Sequence, residues 1–161
     1  MHLEKTFTVN APDQKVLGAI RNPEMIEESE RSRDALAVNI ADVTKTDAAH
    51  TFVIRVKQYA MGVKGVDKSR TEESETTVTW DLNRGRGTWV WKGSGIQSKL
   101  AKVSGGYELT AKGKQTEMKL WTDVEIPIPV LGKVIMKKVA KGFEENWPPY
   151  VERVERWANK A

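Results

Sequence analysis

Apolar and polar residues alternate with a period of two at the start of the chain. Leu3, Lys5, Phe7 and Val9 fall on one side and Glu4, Thr6, Thr8 and Asn10 on the other, which predicts a strand with one buried face. Pro12-Asp13 then suits a helix start, with the Asp13 carboxylate placed to accept unpaired amide protons and Val16, Leu17 and Ile20 forming a short apolar stripe. Asn22-Pro23 interrupts that helix, because proline disfavours helical geometry in the residue before it. Glu24 to Glu30 predicts a second short helix with an acidic exposed side.

From Asp34 to Ile126 the chain is rich in β-branched and aromatic residues and is punctuated by turn chemistry. The turn signals are Thr46-Asp47, Gly62 to Gly65, Arg84-Gly85-Arg86-Gly87, Gly105-Gly106 and Lys112-Gly113-Lys114, and six strands fit between them. Phe52, Ile54, Val56, Gln58 and Ala60 share one face of their strand. So do Val78, Trp80 and Leu82 on another, and Met118, Leu120, Thr122, Val124 and Ile126 on the last. Hairpins with one apolar face predict an antiparallel meander.

After Pro127-Ile128-Pro129 the period changes to four. Leu131, Ile135, Val139, Phe143 and Trp147, then Val151, Val154 and Trp157 or Ala158, line one side of a long helix, while Lys133, Lys137, Lys141, Glu144 and Glu145 occupy others. Pro148-Pro149 interrupt its amide ladder, which predicts a kink near Trp147. The expected fold class is α+β: a curved seven-stranded antiparallel sheet around a long C-terminal helix, with two short helices after the first strand, as one domain over residues 1–161. A bent sheet gripping one helix tends to leave a gap, so the pattern predicts a container for an apolar small molecule.

The bulk composition narrows the function classes. A chain of 161 residues buries a core without staples, and the absence of cysteine removes disulfides, thiolate metal sites and thiol nucleophiles, in keeping with a reducing cytoplasm. No apolar run approaches the ~20 residues of a membrane span, and the N-terminus lacks a basic-then-apolar leader, so a soluble, cytoplasmic protein is expected. The net charge of +4 comes from 26 basic residues interspersed with 22 acidic ones. Nucleic acid would call for a larger basic field and a docking module, and none is expected as a partner.

The candidate ligand-binding residues are Phe52, Ile54, Val56, Gln58, Val78, Trp80, Met118, Leu120, Thr122, Ile135, Val139, Phe143 and Trp147, the set expected to face inward, where ordinary core is the competing reading. Met118, Met136 and Trp80 would make an adaptable, polarizable lining. Gln58 and Thr122 are polar residues in this set. Burying an amide without a partner costs about 1–3 kcal/mol, so water, backbone or a ligand group is expected to satisfy Gln58. The facing of Tyr59 and Tyr107 stays open, since a single bulge reverses it.

Trp89, Trp91 and Trp121 are expected to cover one another on the convex side as cross-strand aromatic pairs, with a partner surface as the alternative. Lys133, Lys137, Lys138 and Lys141 crowd the first half of the last helix, where the dipole disfavours cations. This face is either solvated or a contact for a membrane surface or an acidic protein partner. The glycine pairs at 84–87 and 93–95 lack the helix start and Gly-Lys-Ser/Thr of a phosphate loop. His2 and His50 have no metal-ligand companions at regular spacing and no nucleophile motif. No catalytic residue, metal or cofactor is expected.

Three segments together resemble a known superfamily: Phe7 to Val16 at the first strand and helix, Gly106-Tyr107-Glu108-Leu109-Thr110 before a hairpin, and Thr116 to Ile126 leading into Pro127-Ile128-Pro129-Val130-Leu131-Gly132. On these the chain resembles the START-like, or Bet v 1-like (SRPBCC), superfamily, which includes polyketide cyclase and lipid-transport proteins. The resemblance implies a helix-grip fold with a cavity between sheet and last helix. It also implies a function among lipid or polyketide binding, cyclase or dehydratase chemistry, and assembly. Val63-Lys64-Gly65 and the Pro-Val-Leu-Gly entry to the helix look like the carbon monoxide dehydrogenase assembly branch of that superfamily.

Overall fold

The alternating segments pair into one sheet, and the two helical patterns near the N-terminus carry the chain across it. The structure is a computed structural model that describes residues 1–62, 65–95 and 100–160. In chain order the elements are β1 (His2–Val9), α1 (Asp13–Ile20), α2 (Pro23–Arg31), β2 (Ala37–Lys45), β3 (Ala49–Gly62), β4 (Gly65–Asp81), β5 (Arg86–Gly93), β6 (Lys102–Lys112), β7 (Gln115–Glu125) and α3 (Leu131–Ala158). The sheet order is β1-β7-β6-β5-β4-β3-β2, antiparallel throughout. Strands β2 to β7 are therefore the expected meander, and β1 adds to its far edge in a register that sets Leu3 opposite Thr122 and Phe7 opposite Met118.

The helix starts differ in chemistry. Pro12 caps α1 without a side-chain bond, so Asp13 serves in the first turn rather than as the cap. Asn22 caps α2 by accepting the Glu24 amide at 2.9 Å, and Pro23 occupies the first turn, where its missing N–H costs nothing. Helix α3 continues through Pro148 and Pro149 as one element. The predicted turns at 82–85 and 112–114 are turns, with Gly85 at φ 61° and Gly113 at φ 66°. Of the predicted turn at 62–65, residues 63 and 64 lie outside the described residues.

Gly105-Gly106, expected as a turn, instead lies inside β6, and Gly87 lies inside β5. Each makes room for an indole. A Cβ on Gly87 would sit 2.7 Å from the Trp80 ring, one on Gly105 would sit 2.5 Å from Trp89 Cζ2, and one on Gly106 would enter the Trp121 ring.

Residues 68–70 bulge from β4, since Tyr59 pairs with Thr71 but Ala60 pairs with Asp67. Asp67 holds the bulge by accepting the Ser69 hydroxyl at 2.5 Å, the Ser69 amide at 3.0 Å and Arg70 Nε at 3.0 Å. Those bonds, the Ser69 hydroxyl foremost, draw its carboxyl down to about 2.

The main core lies between the concave side of the sheet, α1, α2 and the C-terminal half of α3. Phe52, Ile54, Val56, Val78, Trp80, Met118 and Leu120 pack there with Val16, Leu17, Ile20 and Met25 from the short helices and with Trp147, Val151 and Val154 from α3. Polar ties lock this half of α3 in place. Arg153 Nε pairs with Glu28 at 3.0 Å, Arg156 pairs with the same carboxylate, and Asn159 donates to the Asn10 carbonyl at 3.0 Å. None of the helices in the described residues is long and apolar enough to cross a membrane.

Candidate functional site

The two halves of α3 sit differently on the sheet. In the second half Trp147, Val151, Val154 and Ala158 are buried and complete the main core. In the first half Leu131 and Val134 are exposed, and Ile135, Met136, Val139 and Phe143 are only half-buried. These four side chains pack on a second, smaller cluster of Val103, Val124 and Ile126, with Trp89 and Trp91 beside it. The result is an apolar junction between β5–β7 and α3, closed below by the main core and half-open to solvent above.

The sequence-selected residues divide between these regions. Phe52, Ile54, Val56, Val78, Trp80, Met118, Leu120 and Trp147 lie in the main core, while Ile135, Val139 and Phe143 lie at the junction, with Phe143 bridging the two. Thr122 is fully buried on the same face of β7 as Leu120 and Val124, opposite Gly105 and Leu3. Gln58 is half-buried, joins neither cluster and lies on the part of the β3–β4 pair that extends past the Ser74–Gly93 end of β5.

The tryptophans require a correction. Trp89 and Trp91 face α3 and not the convex side: Trp89 stacks on Phe143 with ring centroids 6.0 Å apart, and both flank the junction cluster. Trp121 alone takes the opposite face, over Gly106, with the Arg86 guanidinium 4.7 Å from its ring. The three therefore do not cover one another. What hid this arrangement was reading Gly105-Gly106 as a turn, when it is the pair that opens both faces of β6 to an indole.

Tyr107, whose facing the alternation leaves open, points inward. It stacks on Trp80 at 5.3 Å and meets Tyr150 of α3 at 6.4 Å. Burial pushes both phenols up, Tyr150 well above its ordinary value, so both stay protonated at neutral pH and act as hydrogen-bond donors. Tyr59 lies on the other face from Ala60, because the bulge inserts residues into β4 and leaves the alternation of β3 intact.

Two interior polar atoms, Trp80 Nε1 and Thr122 Oγ1, have no hydrogen-bond partner among the described residues. An unpaired buried hydroxyl lowers stability, and its exchange for a methyl group of the same shape removes that cost. Thr122→Val is expected to raise unfolding stability by about 1 kcal/mol in urea denaturation.

His50, whose sequence neighbours supply no companion, acquires two through the fold. It is 3% exposed, receives the Arg21 Nε proton at Nδ1 over 3.0 Å, and donates from Nε2 to Asp42 over 2.7 Å. No side chain in this row is a nucleophile. Among the described residues no group of three His, Asp or Glu side chains could hold a metal ion.

A curved antiparallel sheet gripping one long helix, with an apolar junction between them, defines a helix-grip protein of the START-like and Bet v 1-like (SRPBCC) kind. The chain belongs to the family described as protein of unknown function (DUF2505), whose model matches residues 4–158. Solved structures share the fold at low identity. Truncated norcoclaurine synthase from Thalictrum flavum aligns at 8% identity with a TM-score of 0.70, covering 100% of this chain and 94% of that one. The Zhui aromatase/cyclase from Streptomyces sp. R1128 aligns at 14% identity with a TM-score of 0.62, covering 98% and 93%. A START superfamily protein from Mycobacterium smegmatis aligns at 16% identity with a TM-score of 0.61, covering 96% and 97%. No curated protein matches the sequence. The likeness to the carbon monoxide dehydrogenase assembly branch rests in part on Val63 and Lys64, which lie outside the described residues.

Proposed function

We propose that the protein binds a hydrophobic small molecule, lipid-like or polyketide-like, at the junction of β5–β7 with the first half of α3. The observation that carries this reading is the half-open apolar strip of Ile135, Met136, Val139 and Phe143, faced by Trp89 and Trp91. Large apolar side chains left partly wet gain about 25 cal/mol for each Å² that a guest covers, and the aromatic faces suit flat or extended guests. The fold relatives include a START superfamily protein and an aromatase/cyclase, which agrees with an apolar guest.

The start of α3 supplies a membrane contact for such a carrier. Val130 is 86% exposed and Leu131 61%, and Lys133, Lys137, Lys138 and Lys141 lie on the same helix, Lys141 well exposed. Apolar side chains beside lysines suit an anionic lipid surface, each lysine near it adding about 1 kcal/mol. Binding to vesicles containing phosphatidylglycerol is expected at low salt and is expected to weaken as salt rises, while phosphatidylcholine vesicles bind little.

Organic extraction of purified protein followed by mass spectrometry is expected to recover a lipophilic molecule, and an apolar fluorescent probe is expected to bind. Val139→Asp is expected to weaken that probe at least tenfold, because it places a charge in the strip without touching the main core. Extracts with no lipophile, together with no probe binding, would end the carrier reading. A second, enzymatic reading draws on the neutral Tyr107–Tyr150 pair as donors that orient a substrate. On that reading Tyr107→Phe and Tyr150→Phe abolish turnover of a cyclisable substrate without lowering its affinity by more than a few-fold.

A further inference from the structure

The open clefts at the other end of the fold differ in chemistry from the α3 junction. One, of about 560 Å³, lies between the end of α1, the β2–β3 turn and the β4–β5 turn, and is lined by Gln14, Leu17, Arg21, Lys45, Asp47 and Asn83 among others. A smaller cleft of about 210 Å³ shares Gln14, Leu17 and Asn83 with it and extends toward Arg84. These surfaces are away from the β7–α3 connection.

Arg21 is built into this cleft. It follows the last residue of α1, and its Nε–H is given to His50 Nδ1 at 3.0 Å. A guanidinium has no acceptor to offer, so Nδ1 carries the lone pair and the ring proton sits on Nε2, donated to Asp42 at 2.7 Å. The imidazole is buried and cannot turn away. His50 and Asp42 thus fix the plane of the Arg21 fork, while its terminal NH2 groups bond no described residue and no described carboxylate lies within ion-pair distance of them. The partial burial of Arg21 lowers its affinity for its own proton, the mark of a cation short of water, although Asp42 opposes the effect. Lys45 lines the same cleft and also forms no ion pair among the described residues.

We infer that this cleft is a second ligand site, taking a small polar molecule that presents a carboxylate or phosphate group to the Arg21 fork and Lys45. A planar guanidinium with both terminal nitrogens free matches two oxygens of one anionic group, and orientation by a buried histidine reduces what must be ordered on binding. Asp47 stands in the same lining with Asn83, so the favoured guest carries a hydroxyl or amino group on its other side. The site is independent of the apolar junction, and a ligand here does not require one there.

The test is an NMR titration of the full chain with citrate and, separately, with inorganic phosphate, against sodium chloride at matched ionic strength. Saturable shifts of the Arg21 Nε–H and of the Lys45, Thr46 and Asn83 amides are expected with one anion or both, and the stronger of the two tells carboxylate from phosphate. Arg21→Lys, which keeps the charge and loses the fork, is expected to weaken binding at least tenfold, and Lys45→Ala at least threefold. His50→Gln is expected to weaken it while leaving the apolar probe bound at α3. Linear shifts that chloride reproduces, or equal affinity in Arg21→Lys and Lys45→Ala, identify an adventitious ion only and overturn the site. Lys45 is exposed, so its variant keeps the test decisive even where Arg21 variants unfold.

Discussion

Gly105→Val and Gly106→Val are each expected to cost on the order of 3 kcal/mol or more, lowering the midpoint of thermal unfolding by about 6–12 °C in a chain of this length. A side chain at Gly105 meets Trp89 on the concave face and the Trp121 carbonyl, and one at Gly106 meets the Trp121 ring and the Gly87 carbonyl. In both cases one neighbour is backbone inside a paired strand, which cannot yield as a flexible side chain can. Gly18→Ala is the control. Its added carbon meets nothing within 4 Å on an exposed helix position, so a gain of about 0.5–1 kcal/mol is expected from helix propensity alone. Circular dichroism melts of the three variants check this, and equal behaviour of Gly105→Val and Gly18→Ala would mean that the indoles do not occupy these places.

Trp80→Ala is expected to cost about 3–5 kcal/mol, the usual range for deleting a buried aromatic, and to remove much of the near-ultraviolet circular dichroism. Trp80 is fully buried, lies over Gly87 and stacks on Tyr107, which in turn reaches Tyr150 of α3. Its removal therefore opens a hole in the column that connects the sheet to the helix. Trp80→Phe keeps most of the ring and removes the unpartnered indole N–H, so its loss in urea denaturation is expected to be less than half as large. This pair of variants also separates the main core from the junction: Trp80→Phe is expected to leave the apolar probe bound, whereas Val139→Asp is not.

How much of the site was legible followed from how local its causes were. Ile135, Val139 and Phe143 could be selected because a four-residue period marks one side of a helix regardless of what covers it. Trp89 and Trp91 could not be assigned a face, because their alternation says only that they share one; the partner across β6 decides which. The Arg21–His50–Asp42 row was illegible for a different reason. His50 and Asp42 lie on β3 and β2 and Arg21 just past the end of α1, and only the β2–β3 register with the docking of α1 brings them within bonding distance.

The sequence by itself determined the element order, the strand and helix periods and the apolar face of β3, β4, β7 and α3. These depend on alternation and on proline and glycine within a few residues, and burial then selects one face of each element. The tertiary structure alone decided that Gly105-Gly106 lies in a strand between two indoles, that only the second half of α3 seats fully on the core, and that an arginine fork is held toward a polar cleft. Those outcomes turn on clearances between side chains distant in the chain, which close packing sets and no local pattern encodes.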